Sequence, residues 1–110
     1  MKTTVEILKA ARDLIAKPEN WTQGESARDD RGRRVDVYSR RAKCFCSIGA
    51  IYRVSSTDEE ANRSRKALID QLPMERRFIT TFNDTHSHSE VLDLFSKAIS
   101  SAEEKQGEAS

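Results

Sequence analysis

Three observations predict a mainly α protein, with four to five helices packed around one central helix at about 40–54 and a short β-hairpin or extended loop at about 26–37. First, three Ser/Thr-x-x-Glu pairs, Thr3/Glu6, Thr57/Glu60 and Ser87/Glu90, each stand at the head of a segment with apolar residues three and four apart, the signature of a capping box opening an amphipathic helix. Second, the most apolar run in a polar chain is Cys44-Phe45-Cys46-Ser47-Ile48-Gly49-Ala50-Ile51-Tyr52. Third, residues 18–38 are rich in turn formers and lack helical periodicity.

Taken in order, residues 3–17 read as the first helix, with Val5, Leu8, Ala11 and Ile15 on one face and Ile7 and Leu14 beside it. Lys17 precedes Pro18, which disfavours the helical conformation and marks the stop. In the connection, Trp21 is the sole tryptophan, a ring expected to plug the core edge. Asp29-Asp30-Arg31-Gly32 has turn chemistry, Asp first and Gly last, so 26–29 and 33–37 are expected to pair as a hairpin. The apolar run could alternate as a strand. The spacing of Ala42, Cys46, Gly49, Ala50 and Arg53 favours a helix, capped by Ser39, whose small-residue face lets a neighbouring helix come close. Arg40, Arg41 and Lys43 then fall in its first turn, where the helix dipole disfavours cations.

The third helix runs from Thr57 to about Leu72, with Ala61, Leu68 and Leu72 inward and Arg63, Arg65 and Lys66 outward; Pro73 follows. A short helix over 75–82 would bury Phe78, Ile79 and Phe82, with Asn83-Asp84-Thr85 ending it. The last helix runs from Ser87 to about Glu104 with Val91, Leu94, Phe95, Ala98, Ile99 and Ala102 on its apolar face. Residues 1–104 are expected to form one helical domain, and 105–110 a frayed tail.

Composition sets limits. The 110 residues are 36% hydrophobic and 34% charged, with a net charge of +1, so the core is thin and overall charge names no partner. No apolar stretch approaches the roughly 20 residues of a membrane span. The N-terminus reads as an acid-bearing amphipathic helix rather than a signal peptide. Cys44 and Cys46 are too close for an ordinary structural disulfide, which suits a reduced, cytoplasmic setting.

Four short pieces resemble a family of small uncharacterised bacterial and phage proteins: Trp21-Thr22-Gln23-Gly24, the Asp30-Arg31-Gly32 turn with Asp36 after it, Cys46-Ser47-Ile48-Gly49-Ala50-Ile51, and Asn83-Asp84 followed by Ser87-His88-Ser89-Glu90-Val91-Leu92. Their shared order covers about residues 5–102. The resemblance implies a shared fold and no activity.

Each candidate site has a plainer structural alternative. Cys46 with His88 as base and Asp84 orienting it would be a Cys/His/acid arrangement, whereas a buried cysteine commonly just packs. Cys44, Cys46, His86 and His88 have zinc-ligand chemistry, but residues two apart on a helix diverge, and Asp84, His86 and His88 make at most a weak metal loop. The stretch 28–43 holds seven basic residues, Arg28, Arg31, Arg33, Arg34, Arg40, Arg41 and Lys43, against three acids, Asp29, Asp30 and Asp36, a net of +4. Such an arm can track phosphates, with Tyr38 and Trp21 available for stacking, or it can be a solvated loop. Trp21, Gln23, Asp36, Asn83 and Asp84 could line a protein-binding surface. If Asn83 and Asp84 instead hydrogen-bond the 21–24 loop, they are scaffold.

There is no phosphate loop, no strong metal motif and no paired catalytic carboxylates, and no cofactor is implied. The expected function is a small non-enzymatic cytoplasmic interaction or regulatory module whose partner is a protein. A small enzyme or ligand-binding domain using Cys46, Asp84 and His88 is the alternative. Nucleic-acid binding through 28–43 is the second.

Overall fold

The structure, a computed structural model, describes residues 2–72 and 78–108, with side chains through Lys105. Its elements are α1 (Thr4–Leu14), β1 (Ala27–Arg28), β2 (Cys44–Phe45), α2 (Ser47–Val54), α3 (Asp58–Ile69), α4 (Ile79–Thr85) and α5 (His88–Glu108). The fold is mainly α, five helices with a short two-stranded antiparallel ladder, as the sequence predicts.

The capping box of α1 forms in full: Glu6 N donates to Thr3 Oγ1 (3.1 Å), and Thr3 N donates to Glu6 Oε1 (2.9 Å). Val5, Ile7, Leu8 and Ala11 are buried, and Ile15 just past the helix end is fully covered. Pro18–Asn20 make one 3-10 turn before the chain extends at Trp21. The cap of α5 also forms, with Glu90 N on Ser87 Oγ and Ser87 N on Glu90 Oε1. Its face Val91, Leu94, Phe95, Ala98 and Ile99 is buried. α5 lies antiparallel to α1: His88 meets Ile15 at one end, and Lys9 pairs with Glu103 (3.3 Å) toward the other. Helical backbone continues to Glu108, four residues past the expected end.

The central helix is real but shorter than expected. α2 packs against α1, α3 and α4, yet it begins at Ser47 rather than near Arg40. The preceding residues make strand contacts instead. Ala27 is opposite Phe45 and Arg28 opposite Cys44. Lys43 N donates to Arg28 O (2.8 Å), and Cys46 N donates to Ser26 O (3.1 Å). Cys46, not Ser39, is the N-cap, its sulfur accepting Gly49 N–H at 3.3 Å. Ser39 closes a turn by accepting Arg41 N–H. The predicted clash of Arg40, Arg41 and Lys43 with a helix dipole is removed because these residues are not helical.

The 26–37 hairpin is present only as a rudiment. Gly32 N donates to Asp29 O, Asp29 N to Arg33 O and Val35 N to Ala27 O, with a single bridge between Arg28 and Arg34. Gly32 has φ +78°, a conformation glycine adopts without penalty. The regular pairing of β1 is with β2 because that strand carries the buried Phe45, whereas 33–37 offers only half-buried Val35 and Val37. Gly49 shows what the small-residue face is for. A Cβ there would collide with the carbonyl oxygen of Ser26, so the close neighbour is the β1 approach segment, not another helix.

α3 carries Ala61 and Leu68 into the core, with Leu72 buried beyond its end. Its cap differs from a capping box: Glu60 N donates to Thr57 Oγ1 (3.2 Å), but the Glu60 carboxylate accepts Ser56 N (2.8 Å) and Lys2 N (3.1 Å). Glu60 is thereby buried at 2% exposure and ties the chain ahead of α1 to the head of α3. The expected short helix over 75–82 lies partly outside the described residues. α4 starts at Ile79, includes Asn83, Asp84 and Thr85, and buries Ile79. Phe78 does not point inward; it is 71% exposed, because it stands ahead of the helix with extended backbone. Among the described residues, no helix is long and apolar enough to cross a membrane.

Candidate functional site

The polar residues singled out by the sequence converge on Asn83, which α4 delivers fully buried against the N-terminus of α2. Its Oδ1 accepts from Trp21 Nε1 (2.8 Å), Ser47 N (3.0 Å) and Ser47 Oγ (2.8 Å). Its Nδ2 donates to Thr22 O (3.0 Å) and Asp84 Oδ1 (3.2 Å). One side chain therefore joins the 21–24 loop, α2 and α4. Asp84 Oδ1 also accepts Gly24 N (2.9 Å), and Gln23 Nε2 donates to the carbonyls of Asn83 (3.0 Å) and His86 (3.2 Å). Trp21 bridges to Phe45 of β2, where Thr22 N donates to Phe45 O. Trp21, Gln23, Asn83 and Asp84 are thus brought together. Asp36 is not among them: it accepts Tyr38 N–H (2.8 Å) and closes its own exposed turn. Ser47, which the sequence reading gave no role, is a full member of the cluster. Its only signal in the sequence is its place beside Cys46 in Cys46-Ser47-Ile48-Gly49-Ala50-Ile51.

The thiol and imidazole candidates lie around this cluster with their polar atoms engaged. Cys46 is 4% exposed, its sulfur caps α2, and burial pushes its thiol pKa up, with the Gly49 N–H opposing. His88 Nε2 bonds the Ile15 carbonyl at 2.6 Å, and its ring is tilted against Trp21 with centroids 5.4 Å apart. His86 stacks on Phe82 at 3.8 Å, and its Nδ1 lies 3.0 Å from both Phe82 O and Thr85 Oγ1. Cys44 points its sulfur toward Arg28 O. Among the described residues, no three His, Cys, Asp or Glu side chains gather as a metal site.

The basic stretch divides into inward and outward residues. Arg28 turns in: Nε donates to Thr22 Oγ1, Nη1 to Gly32 O and Nη2 to Gln23 O. Asp29 is buried, accepting Arg31 N, Arg33 N and Arg33 Nε, and the Arg33 backbone N–H is the main cause of its lowered pKa. Arg31, Arg33, Arg40, Arg41 and Lys43 then surround a shallow concavity of about 450 Å³ together with Asp29 and Asp30. Arg34 lies elsewhere, beside Glu25 and Val35–Val37 neighbours such as Asp36.

These features define a small, mainly α domain whose polar cluster around Asn83 is an internal latch between a loop and two helices. The chain belongs to a family of unknown function, DUF6197, whose model matches residues 1–101. No curated protein matches it, and no solved structure does.

Proposed function

We propose that this protein is a non-enzymatic interaction or regulatory module that works in the cytoplasm on a protein partner. The observation that carries the reading is the engagement of Cys46, Asp84 and His88. Each has a polar atom bonded to the backbone of the scaffold, and a raised thiol pKa works against a poised thiolate. Two free cysteines suit a reducing compartment. The test is alkylation by iodoacetamide at pH 7.5, mapped by peptide mass. Cys46 should react at least about tenfold more slowly than in the denatured chain. Fast labelling of Cys46 that His88→Asn abolishes would overturn the reading in favour of an enzyme built on Cys46, Asp84 and His88.

A second reading, nucleic-acid binding, is favoured by the five cations around one concavity, of which Arg31, Arg40, Arg41 and Lys43 have no ion-pair partner among the described residues. Four phosphate contacts on a single strand would cost about 50-fold in affinity between 50 and 200 mM salt. Fluorescence anisotropy with a labelled single-stranded oligonucleotide measures this. An absence of binding at 50 mM salt removes the reading.

A further inference from the structure

A groove of about 520 Å³ runs between the start of α1, the later turns of α3 and the C-terminal part of α5. None of the sequence candidates lies in it. α3 and its C-cap contribute Arg63, Lys66, Ala67 and Asp70, and α5 contributes Ala98, Ser101, Ala102 and Lys105. Both sets have the spacing i, i+3, i+4, i+7, so two parallel-sided stripes extend for about 10 Å along their helices. The floor is Val5, Ala67, Ala98 and Ala102, with Ala67 and Ala102 half-buried and Val5 and Ala98 buried. The rim is cationic: among the described lining residues, Lys2, Arg63, Lys66 and Lys105 stand against one acid, Asp70. Lys66 and Lys105 have no acidic partner among the described residues.

We propose that this groove receives one amphipathic α-helix with acidic flanks, supplied by a protein partner. The assignment rests on the interaction-module reading and gives it a surface. Two helical stripes with a shallow apolar seam between them match the ridge of a third helix. Glutamates flanking that helix would meet Lys66 and Lys105, which have no acidic partner among the described residues. A nucleic acid would leave the alanine floor uncovered.

The probe is a helical peptide of roughly 16 residues with Leu and Ala at i, i+3, i+4, i+7 and glutamates on both flanks, compared with a twin carrying lysines there. Each is titrated into ¹⁵N-labelled protein. The acidic peptide should shift the amides of Val5, Ala67, Ala98 and Ala102, and the lysine twin should not. Lys66→Glu with Lys105→Glu should weaken the acidic peptide by at least about tenfold. Ala102→Leu, which fills the floor without changing charge, should weaken it as well. The proposal is overturned if those amides stay still, if the lysine twin binds as well, or if both variants bind unchanged. Shifts confined to 29–43 would also overturn the groove while leaving an interaction module standing. Fast, His88-dependent alkylation of Cys46 would remove the module reading itself.

Discussion

At the scale of single residues, Asn83 has the highest stakes. An amide is the one small side chain that can accept from Trp21 and Ser47 on one side while donating to Thr22 and Asp84 on the other. Asn83→Ala strands the buried N–H and hydroxyl of Ser47 and the indole N–H. At about 1–3 kcal/mol for each orphaned group, the expected loss is about 3 kcal/mol or more, read as a lower urea midpoint. Asn83→Asp keeps the acceptor but turns the donor into a second acceptor facing Thr22 O and Asp84. It should fall between wild type and Asn83→Ala at neutral pH, and approach wild type as acid protonates the new carboxyl. An Asn83→Ala protein as stable as wild type would mean the latch is ornamental. The sequence pointed to this cluster because Asn and Asp close turns and can hydrogen-bond a loop such as 21–24. It could not point to Ser47, whose value lies in an N–H that any residue would have supplied and a hydroxyl that only the fold aims.

At the scale of elements, the ends of helices were more legible than their surroundings. Thr3/Glu6 and Ser87/Glu90 are read correctly because a capping box is local chemistry. The start of α2 is misread because Cys44-Phe45-Cys46 satisfies a strand and a helix equally, and pairing with Ala27 and Arg28, distant in sequence, decides between them. The misplaced cations at 40, 41 and 43 were the available warning. Glu60 is the third case: its spacing announces a capping box, but nothing local says that its carboxylate will instead take the N–H groups of Ser56 and Lys2. Glu6, Asp29, Glu60 and Glu90 share one consequence. Each has a lowered pKa, first because a backbone N–H, from Thr3, Arg33, Ser56 or Ser87 respectively, bonds the carboxylate. A carboxyl with a lower pKa folded than unfolded contributes stability that is full above its unfolded value and is lost as pH falls through the folded one. Stability should therefore decline as pH drops below the ordinary values of 3.8 for Asp and 4.5 for Glu. Glu60→Gln, which cannot ionise and turns an amide toward Lys2 N, should be less stable at pH 7 and show a shallower decline toward pH 3. Denaturant melts at the two pH values measure both, and an unchanged slope would remove Glu60 from the set.

At the scale of the whole molecule, the question is whether the basic arm stands off the helical body or folds onto it. The Cα radius of gyration is 13.3 Å, against about 13 Å for a compact chain of this length, so the arm lies close. Arg53 of α2 is its main tether: Nη1 donates to Val37 O (2.8 Å) and Ser39 O (2.9 Å), and the guanidinium lies 5.7 Å from the Phe45 ring centroid. The arm itself buries little, since Tyr38 is 60% exposed and Val35 and Val37 are only half-covered. Local opening of 37–42 should therefore cost far less than unfolding the α1, α2 and α5 core. Arg53→Met keeps the apolar stem and removes both hydrogen bonds, about 1 kcal/mol each. The amides of Ser39 and Ala42, bonded to Asp36 O and Ser39 O, should exchange with deuterium about tenfold faster or more. Those of Ile51, Leu94 and Phe95 should keep their wild-type rates apart from any small change in global stability. Equal acceleration everywhere would mean that the arm and body unfold as one unit. No acceleration at Ser39 and Ala42 would mean that the Asp36 and Ser39 turns hold the arm without Arg53.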